Sequence, residues 1–334
     1  MRPGKLKRRA LRLHPPPADS DWLDAAARLA LRARPLSRPN PPVGAIIVKD
    51  GVVLGRGWTQ AGGRPHAEAV ALDQAGERAR GATAFVTLEP CAHRSERGPA
   101  CAGRLVEAGV ARVVAGVLDP DPRTAGQGLE RLRTAGLDAS CAEHAASRAS
   151  LAGYLTRAAE GRPHVTLKLA LTRDGALTLP HGSGRWITSE TARAHVHARR
   201  AMADAILVGG GTWRADTPRL DVRLPGIEDR SPERWVLTAG RANGARTLAD
   251  PADIGSLDGV QYLYVEGGAQ TATAFLTAGL VDRLELYRAP VDAGAGRPAI
   301  DLAGVRKPVW RLAERRQLGS DTFEAYERTR CSPA

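Results

Sequence analysis

A histidine, a glutamate and two cysteines, spaced like the residues of a catalytic zinc site, constrain this chain more than any other feature. The run His66-Ala67-Glu68 is followed by Glu89-Pro90-Cys91, and Cys101 comes ten positions after Cys91. One imidazole and two thiolates give zinc three protein ligands and leave the fourth tetrahedral position open to water. The chain therefore has to fold so that these three side chains reach one ion.

The glutamate of this pattern has a separate role from the ligands. Glu68 lies two residues from His66, where a carboxylate can take the proton of a zinc-bound water and pass it to departing ammonia. A H-x-E run followed by P-C is typical of zinc nucleobase deaminases, in which the cysteines are usually spaced C-x-x-C. The longer spacing here argues against the cytidine-deaminase and polynucleotide-editing branches. Two alternatives stay open: unrelated buried side chains, and a structural zinc site, which usually has four protein ligands.

Hydrophobic periodicity predicts alternating strands and helices in the first half of the chain. The Asp50-Gly51 pair predicts a hairpin between two of the strands, and Ser20 or Asp21 is expected to cap the first helix. The predicted helices cover residues 21–34, 65–74, 100–108 and 126–135, and the predicted strands cover 43–48, 52–55, 84–88 and 113–117. This alternation is typical of an α/β fold.

A second α/β series follows an alanine-rich helical segment that ends at Gly161-Arg162-Pro163. We therefore predict a zinc-dependent domain at residues 18–145, a linker helix at 146–161 and a second domain at 162–330. Predicted strands in the second domain cover 165–170, 205–208, 235–238, 262–265 and 284–287, and predicted helices cover 190–202 and 271–278. Its glycine turns do not match the G-x-G-x-x-G pattern, so a Rossmann domain is not indicated.

The composition fits an enzyme that acts on a small molecule. The net charge is +12, but only five lysines occur and the arginines are scattered along the chain. A phosphorylated small substrate needs only a few arginines. We expect a cytoplasmic enzyme without nucleic-acid or membrane partners, because no apolar run of about 20 residues and no signal peptide is present. A nucleic-acid deaminase is kept as an alternative because of the net charge and the His66-Ala67-Glu68 run.

The first half resembles the deaminase domain of the bifunctional riboflavin-biosynthesis deaminase/reductases. The matching runs are Asn40-Pro41-Pro42-Val43-Gly44, Pro65-His66-Ala67-Glu68, Thr87-Leu88-Glu89-Pro90-Cys91-Ala92-His93, Cys101, Gly109-Val110 and Asp119-Pro120. The resemblance implies a cytidine-deaminase-like three-layer α/β domain. It also implies that His66, Cys91 and Cys101 bind Zn²⁺, that Glu68 is the catalytic residue, and that Asn40 and His93 contact the substrate.

The second half is similar to the reductase domain of the same family, which has a dihydrofolate-reductase-like fold. The matching runs include Leu167-Lys168-Leu169-Ala170, Trp186-Ile187-Thr188, Ala205-Ile206-Leu207-Val208-Gly209 and Val265-Glu266-Gly267-Gly268. The resemblance implies that NADPH is bound by Leu171, Trp186, Thr188, Thr212, Asp216, Gly268, Ala269, Gln270, Thr271, Ala272 and Thr273. It implies substrate contacts from Lys168, Arg200, Leu220, Arg223 and Glu266.

Two of these residues also stand out physically. Lys168 lies in the middle of a predicted strand between apolar neighbours, where an unpaired charge is costly. Arg200 carries a guanidinium fork that matches the oxygens of a ribose phosphate.

The resemblance implies two reactions and a homodimer. The first is hydrolytic deamination of 2,5-diamino-6-ribosylamino-4(3H)-pyrimidinone 5′-phosphate, and the second is NADPH-dependent reduction of 5-amino-6-(5-phosphoribosylamino)uracil to its ribitylamino form. Three departures from the family pattern concern the second half: Gly184 replaces a frequent serine, Leu171 and Thr172 replace small residues, and the stretch between Val236 and Val265 is short. A deaminase with a degenerate or structural reductase domain is therefore kept as an alternative.

Overall fold

Two β-sheets, one in each half of the chain, organise the molecule. The computed structural model describes residues 17–93, 98–179, 186–294 and 310–329, so Gly184 lies outside the described residues. Within these ranges the first sheet has five strands and the second has eight. No helix in the described ranges is both long and apolar enough to cross a membrane.

The first sheet is the middle layer of three. Its strands are β1 (Gly44–Lys49), β2 (Val52–Trp58), β3 (Thr83–Val86), β4 (Arg112–Ala115) and β5 (Asp138–Cys141), in the order β2-β1-β3-β4-β5. Leu23 and Ala26 of helix α1 (Asp19–Ala30) pack on one face. The opposite face is covered by α2 (Ala67–Ala75), α3 (Cys101–Glu107) and α4 (Gln127–Thr134). The predicted three-layer α/β architecture is confirmed.

Local details of this domain differ from the sequence prediction at two places. The cap of α1 is Ala18, not Ser20 or Asp21, and the Asp21 carboxylate instead accepts a bond from the Ala18 amide. The helix ends at Ala30, and a short 3-10 turn follows it. Strand β5 was not predicted, because it has only four residues and none of them is β-branched, aromatic or a large apolar residue. The predicted hairpin is present, with both turn residues Asp50 and Gly51 at positive φ.

Two helices connect the sheets where a single linker helix was predicted. They are α5 (Ala145–Ser150) and α6 (Ala152–Glu160), and Leu151 separates them. Helix α5 packs on α1, and α6 packs on the first strand of the second sheet. The connection therefore contacts both sheets.

The second sheet is mixed and has a central parallel part. Its strands are β6 (His164–Leu171), β7 (Ala205–Gly209), β8 (Glu233–Leu237), β9 (Arg246–Leu248), β10 (Tyr262–Glu266), β11 (Arg283–Arg288), β12 (Trp310–Leu318) and β13 (Asp321–Arg328), in the order β12-β13-β11-β6-β10-β7-β8-β9. The helices of this half are α7 (Glu190–Arg200), α8 (Gly210–Asp216) and α9 (Ala269–Thr277). Strand β6 pairs in parallel with both β10 and β11.

The two faces of this sheet differ in chemistry. Leu167 and Leu169 of β6 point into the main apolar core of the domain. The alternate position Lys168 is in register with Glu266 on β10 and with Glu285 on β11. Because side chains alternate across a sheet, these three ionisable groups lie on the same face. Helix α7 covers that face through Arg199, which lies 2.7 Å from Glu285.

The short stretch noted between Val236 and Val265 forms a brief connection between two strands of the sheet. It contains only the three-residue strand β9 and a 3-10 turn at Pro251–Ser256. The hairpin β12–β13 was not predicted. Strand β12 is mostly exposed and has polar residues on both faces, so it lacks the alternation of apolar and polar side chains that indicates a strand. The sheet order nevertheless keeps β6, β7 and β10 as adjacent parallel strands.

Candidate active sites

The three predicted zinc ligands converge in the first domain. His66 is the N-cap of α2, Cys101 is the first residue of α3, and Cys91 follows β3. His66 Nδ1 lies 3.3 Å from Cys101 Sγ and 3.7 Å from Cys91 Sγ. Tetrahedral bonds of zinc to nitrogen and sulfur require separations of roughly 3.5–3.8 Å between ligand atoms. The donor set and its spacing therefore fit zinc, and no other His/Cys/Asp/Glu group found among the described residues could hold a metal.

The electrostatic environment of Cys91 suits metal binding. Cys91 Sγ accepts a bond from the backbone amide of Cys101 at 3.2 Å. The bond between the two thiols lowers the pKa of Cys91 well below its ordinary value, an effect to which His66 adds, and it raises the pKa of Cys101. A thiolate is the form that binds a metal, so Cys91 is prepared as a ligand at neutral pH.

Glu68 lies in the first turn of α2 and is buried. Burial raises the pKa of its carboxyl group, which also interacts with Cys101 and His66. Glu68 lies beside the metal ligands but is not one of them. This arrangement is expected of a residue that carries protons.

Asn40 is held directly beside the zinc ligands. Its Nδ2 donates to the Gly63 carbonyl at 3.1 Å and lies 3.4 Å from His66 Nε2. A Cβ at Gly63 would lie 2.5 Å from Asn40 Cγ, so only glycine allows this approach. His93 lies two residues after Cys91, with its Nδ1 3.5 Å from the Thr124 hydroxyl.

Glu89 is a residue of the zinc-site motif to which the sequence assigned no role. It is buried, and its carboxylate accepts backbone N–H bonds from Asp119 (3.2 Å), Gly126 (2.9 Å) and Leu129 (3.1 Å). A Cβ at Gly128 would lie 2.0 Å from the Pro90 carbonyl oxygen. The loop that carries Cys91 is thus fastened to the start of α4.

A second group of charged side chains lies on the polar face of the eight-stranded sheet. The Arg200 guanidinium binds both carboxylate oxygens of Glu266, at 2.6 and 3.0 Å. Lys168 Nζ lies 3.9 Å from the same carboxylate. Burial lowers the pKa of Lys168, whereas Arg200 and Lys168 hold the pKa of Glu266 below its ordinary value despite its burial. Sequence reasoning identified all three residues.

The remaining predicted substrate residues lie on the segment after α8. Leu220 is buried and has φ +54°, whereas Arg223 is half exposed and pairs with Asp221 at 3.4 Å. Asp221 was not predicted, yet its backbone carbonyl accepts a 3.0 Å bond from Arg200. The Arg200–Asp221 contact therefore links this segment to the Lys168 and Glu266 group.

The predicted cofactor residues fall into three places. Gly268 and the start of α9 adjoin α8, where the Thr212 hydroxyl lies 4.0 Å from a Cβ built on Gly268. A Cβ at Gly209 or Gly267 would lie 2.2 or 2.5 Å from Thr271, so the ends of β7 and β10 approach α9 only because both are glycines. The N-terminus of α9 has no side-chain cap, so its backbone N–H groups could bind a phosphate of a dinucleotide.

Trp186, Thr188 and Leu171 lie outside α8 and α9, whereas the remaining predicted cofactor residues lie within these two helices or, for Gly268, at the N-cap of α9. Trp186 is exposed, and the Arg193 guanidinium lies 5.3 Å from its ring centre. The Thr188 carbonyl accepts a bond from the same arginine. Leu171 packs into the apolar core, so a contact with a cofactor would have to use its backbone. Asp216 ends α8, and the positions 269, 270, 272 and 273 belong to the first turns of α9.

Two protein-family models match the chain and together cover both halves. Residues 16–117 match the cytidine and deoxycytidylate deaminase zinc-binding region. Residues 163–246 and 256–323 match the RibD C-terminal domain.

Curated relatives match almost the whole chain. The riboflavin biosynthesis protein RibD of Escherichia coli is 38% identical over 91% of this chain and 97% of its own length. That of Aquifex aeolicus is 36% identical over 93% of this chain and 98% of its own.

Solved structures agree with the fold of the full chain. RibD of Acinetobacter baumannii superposes with a TM-score of 0.81 at 33% identity, covering 93% of this chain and 99% of its own. A diaminohydroxyphosphoribosylaminopyrimidine deaminase/5-amino-6-(5-phosphoribosylamino)uracil reductase from Thermotoga maritima gives the same TM-score at 27% identity and the same coverage.

Proposed function

The chain belongs to the RibD family, the bifunctional deaminase/reductases of riboflavin biosynthesis, and from this we propose which of its residues perform each reaction. The deaminase model, the reductase-domain model and the His66–Cys91–Cys101 cluster support Zn²⁺ and NADPH as its cofactors. The substrates we propose are the diaminopyrimidine ribosylamine 5′-phosphate for the first domain and its deaminated aminouracil for the second.

In the deaminase half, His66, Cys91 and Cys101 would hold the metal, and Glu68 would carry protons. Bound zinc supplies the polarisation that makes water nucleophilic at neutral pH. Glu68 is buried two residues from a ligand, so it would take a proton from that water and deliver it to the leaving amine. The Asn40 amide, fixed by Gly63 and facing His66, would orient the pyrimidine ring.

In the reductase half, Lys168, Arg200 and Glu266 would hold the ribose phosphate portion of the substrate. NADPH supplies the hydride, and the protein supplies binding and orientation. Glu266 fixes the guanidinium of Arg200, and the buried Lys168 gives the site a second positive charge. Arg223 is half exposed and would close on the phosphate from the segment after α8. The start of α9 and Thr212 would take the phosphates of the cofactor.

The observation that carries this assignment is the presence of both complete clusters in one chain. The test supplies the diaminopyrimidine phosphate with and without NADPH, and follows ammonia and NADPH separately. We expect ammonia in both cases and NADPH consumption only after deamination. Ammonia without any NADPH oxidation would instead support the alternative of a degenerate reductase domain.

The arrangement of the chain is part of the proposal. We propose domain limits of 18–145 and 162–330 with residues 146–161 as the connection, a homodimer in solution and a cytoplasmic location. The change from one sheet to the other across α5 and α6 supports the limits. Light scattering of the purified chain measures its mass, and a monomer would contradict the dimer.

A further inference from the structure

The loop that presents Asn40 to the deaminase site rests on the reductase half of the chain. We call residues 34–40 the Asn40 loop. Arg34 Nε donates to the Met202 carbonyl at 3.2 Å, and its guanidinium lies 3.3 Å from the ring centre of Tyr262. Arg38 donates a 2.5 Å bond to Glu233. All three partners belong to the eight-stranded sheet or its connections.

The contact nearest to the active site comes from Gln261. Its Nε2 lies 2.6 Å from the Pro39 carbonyl oxygen and 3.3 Å from the Asn40 carbonyl oxygen, and it donates to both. These bonds join positions more than 220 residues apart in sequence. One bond ends on the backbone carbonyl of Asn40, whose side chain faces His66, and the other ends on the residue that precedes it.

Gln261 is itself rigidly placed. Its backbone N–H donates to the Asp204 carboxylate at 2.9 Å. Its backbone carbonyl accepts a 2.8 Å bond from the backbone N–H of His164 at the start of β6. Only 4% of the residue is exposed. Gln261 directly precedes the central strand β10, so its side chain joins the core of the reductase half directly to the Asn40 backbone.

We infer that Gln261 is a positioning residue for deamination, so that the reductase half completes the deaminase site. It acts through Asn40 and touches neither metal nor substrate. The inference rests on the role proposed for Asn40 as a substrate contact. Small displacements of a positioning group cost large factors in rate, and a neutral hydrogen bond contributes modestly. We therefore expect an effect of about tenfold when the two bonds from Gln261 are removed.

The test uses three variants of the full-length chain. Gln261→Ala removes the amide, whereas Gln261→Glu keeps its shape but replaces the donor by an acceptor that faces two carbonyl oxygens. The matched control is Gln317→Ala, because Gln317 is an exposed glutamine of the same domain whose Nε2 also donates to a carbonyl, that of Gly319 at 3.1 Å. Ammonia release, NADPH oxidation with the deaminated substrate, and zinc content are measured for each.

Both Gln261 variants should lose about tenfold in deaminase kcat/KM, mainly through KM, with zinc content and reductase kcat/KM unchanged. The control should lose nothing. Unchanged deamination in Gln261→Ala would overturn the inference. So would a parallel fall of both activities, or a Gln261→Glu variant with wild-type deamination, since each would indicate only a packing role.

A double-mutant cycle separates this inference from the assignment of Asn40. Asn40→Ala removes the side chain but keeps the carbonyl that Gln261 binds. If Gln261 acts through the Asn40 side chain, Gln261→Ala should add little to the loss in an Asn40→Ala background. Full additivity would overturn the inference. Wild-type deamination in Asn40→Ala alone would instead overturn the proposed role of Asn40.

Discussion

Arg200, the last residue of α7, and Glu266, the last residue of β10, form a bidentate ion pair with guanidinium nitrogens 2.6 and 3.0 Å from the two carboxylate oxygens. Both side chains are only 11% exposed. Lys168 approaches the same carboxylate from the adjacent strand. Glu266 therefore balances two buried positive charges and sets the direction in which Arg200 points.

Replacing this carboxylate should impair reduction alone. Glu266→Gln keeps the shape but removes the charge that aligns Arg200, and we expect reductase kcat/KM to fall about 10–100-fold because a buried charged hydrogen bond is lost. Deamination should be unchanged. NADPH oxidation with the aminouracil substrate measures the effect, with the exposed Glu228→Gln as control. Equal losses in both variants would refute the role of Glu266.

Removing the proton carrier should stop deamination in a folded, metal-loaded protein. Glu68→Gln should lower kcat for ammonia release by about 10²–10⁴-fold, the usual contribution of a general acid-base group. Zinc content, and NADPH oxidation with the deaminated aminouracil substrate, should stay at wild-type values. Glu77→Gln, at an exposed position just after α2, is the control. Substantial ammonia release from Glu68→Gln would disprove the assignment.

Loss of one thiolate should remove the metal. Cys101→Ser places a poor zinc ligand beside His66 and Cys91, so we expect less than stoichiometric zinc and no measurable ammonia release. The reductase reaction should persist on the deaminated substrate. Cys141→Ser is the matched control, because Cys141 lies outside the cluster. Full zinc occupancy of Cys101→Ser would contradict the proposed ligand set.

Acid should weaken the reductase domain through Asp282. Arg162 binds both oxygens of this carboxylate, at 2.7 and 3.0 Å, and the Val165 amide donates to it at 2.9 Å. Although burial opposes it, these bonds hold the pKa of Asp282 below its ordinary value. The stabilisation is therefore complete above the unfolded pKa of about 4 and disappears as the pH falls through the lower folded pKa.

The corresponding variant should show this dependence directly. Asp282→Asn should lower the free energy of unfolding by on the order of 3 kcal/mol at pH 7, because Arg162 loses its buried partner. The difference from wild type should shrink below pH ~4. Urea unfolding at several pH values, followed by tryptophan fluorescence, measures it. Asp253→Asn, at an exposed position, should behave like wild type. A difference that is constant with pH would be inconsistent with this account.

The metal site was predictable because the types and spacing of its residues are themselves typical of zinc binding. His66, Glu68, Cys91 and Cys101 are rarely combined without a metal, and each lies at the start of a helix or after a strand. Strands β1 and β7 were predictable for a similar reason, since nearly all of their residues are buried and form short continuous runs of Ala, Val, Ile and Leu.

Contacts between distant segments could not be predicted from local patterns. Gln261 and Asp221 are unremarkable in sequence, and their roles follow from partners that lie far along the chain or on the backbone. The strand β12 was missed because both of its faces carry charged side chains. The cap of α1 was predicted two or three residues too late, because the Asp21 carboxylate accepts a bond from the Ala18 amide from inside the helix.

Glu89 has a consequence for anyone who would transplant this metal motif. Its carboxylate holds three backbone amides of the segment between Asp119 and Leu129, so the cysteine-bearing loop has no independent shape. Copying the histidine, glutamate and two cysteines into another scaffold would omit the counterpart that shapes the loop. A working graft has to carry the 119–129 stretch along with the ligands.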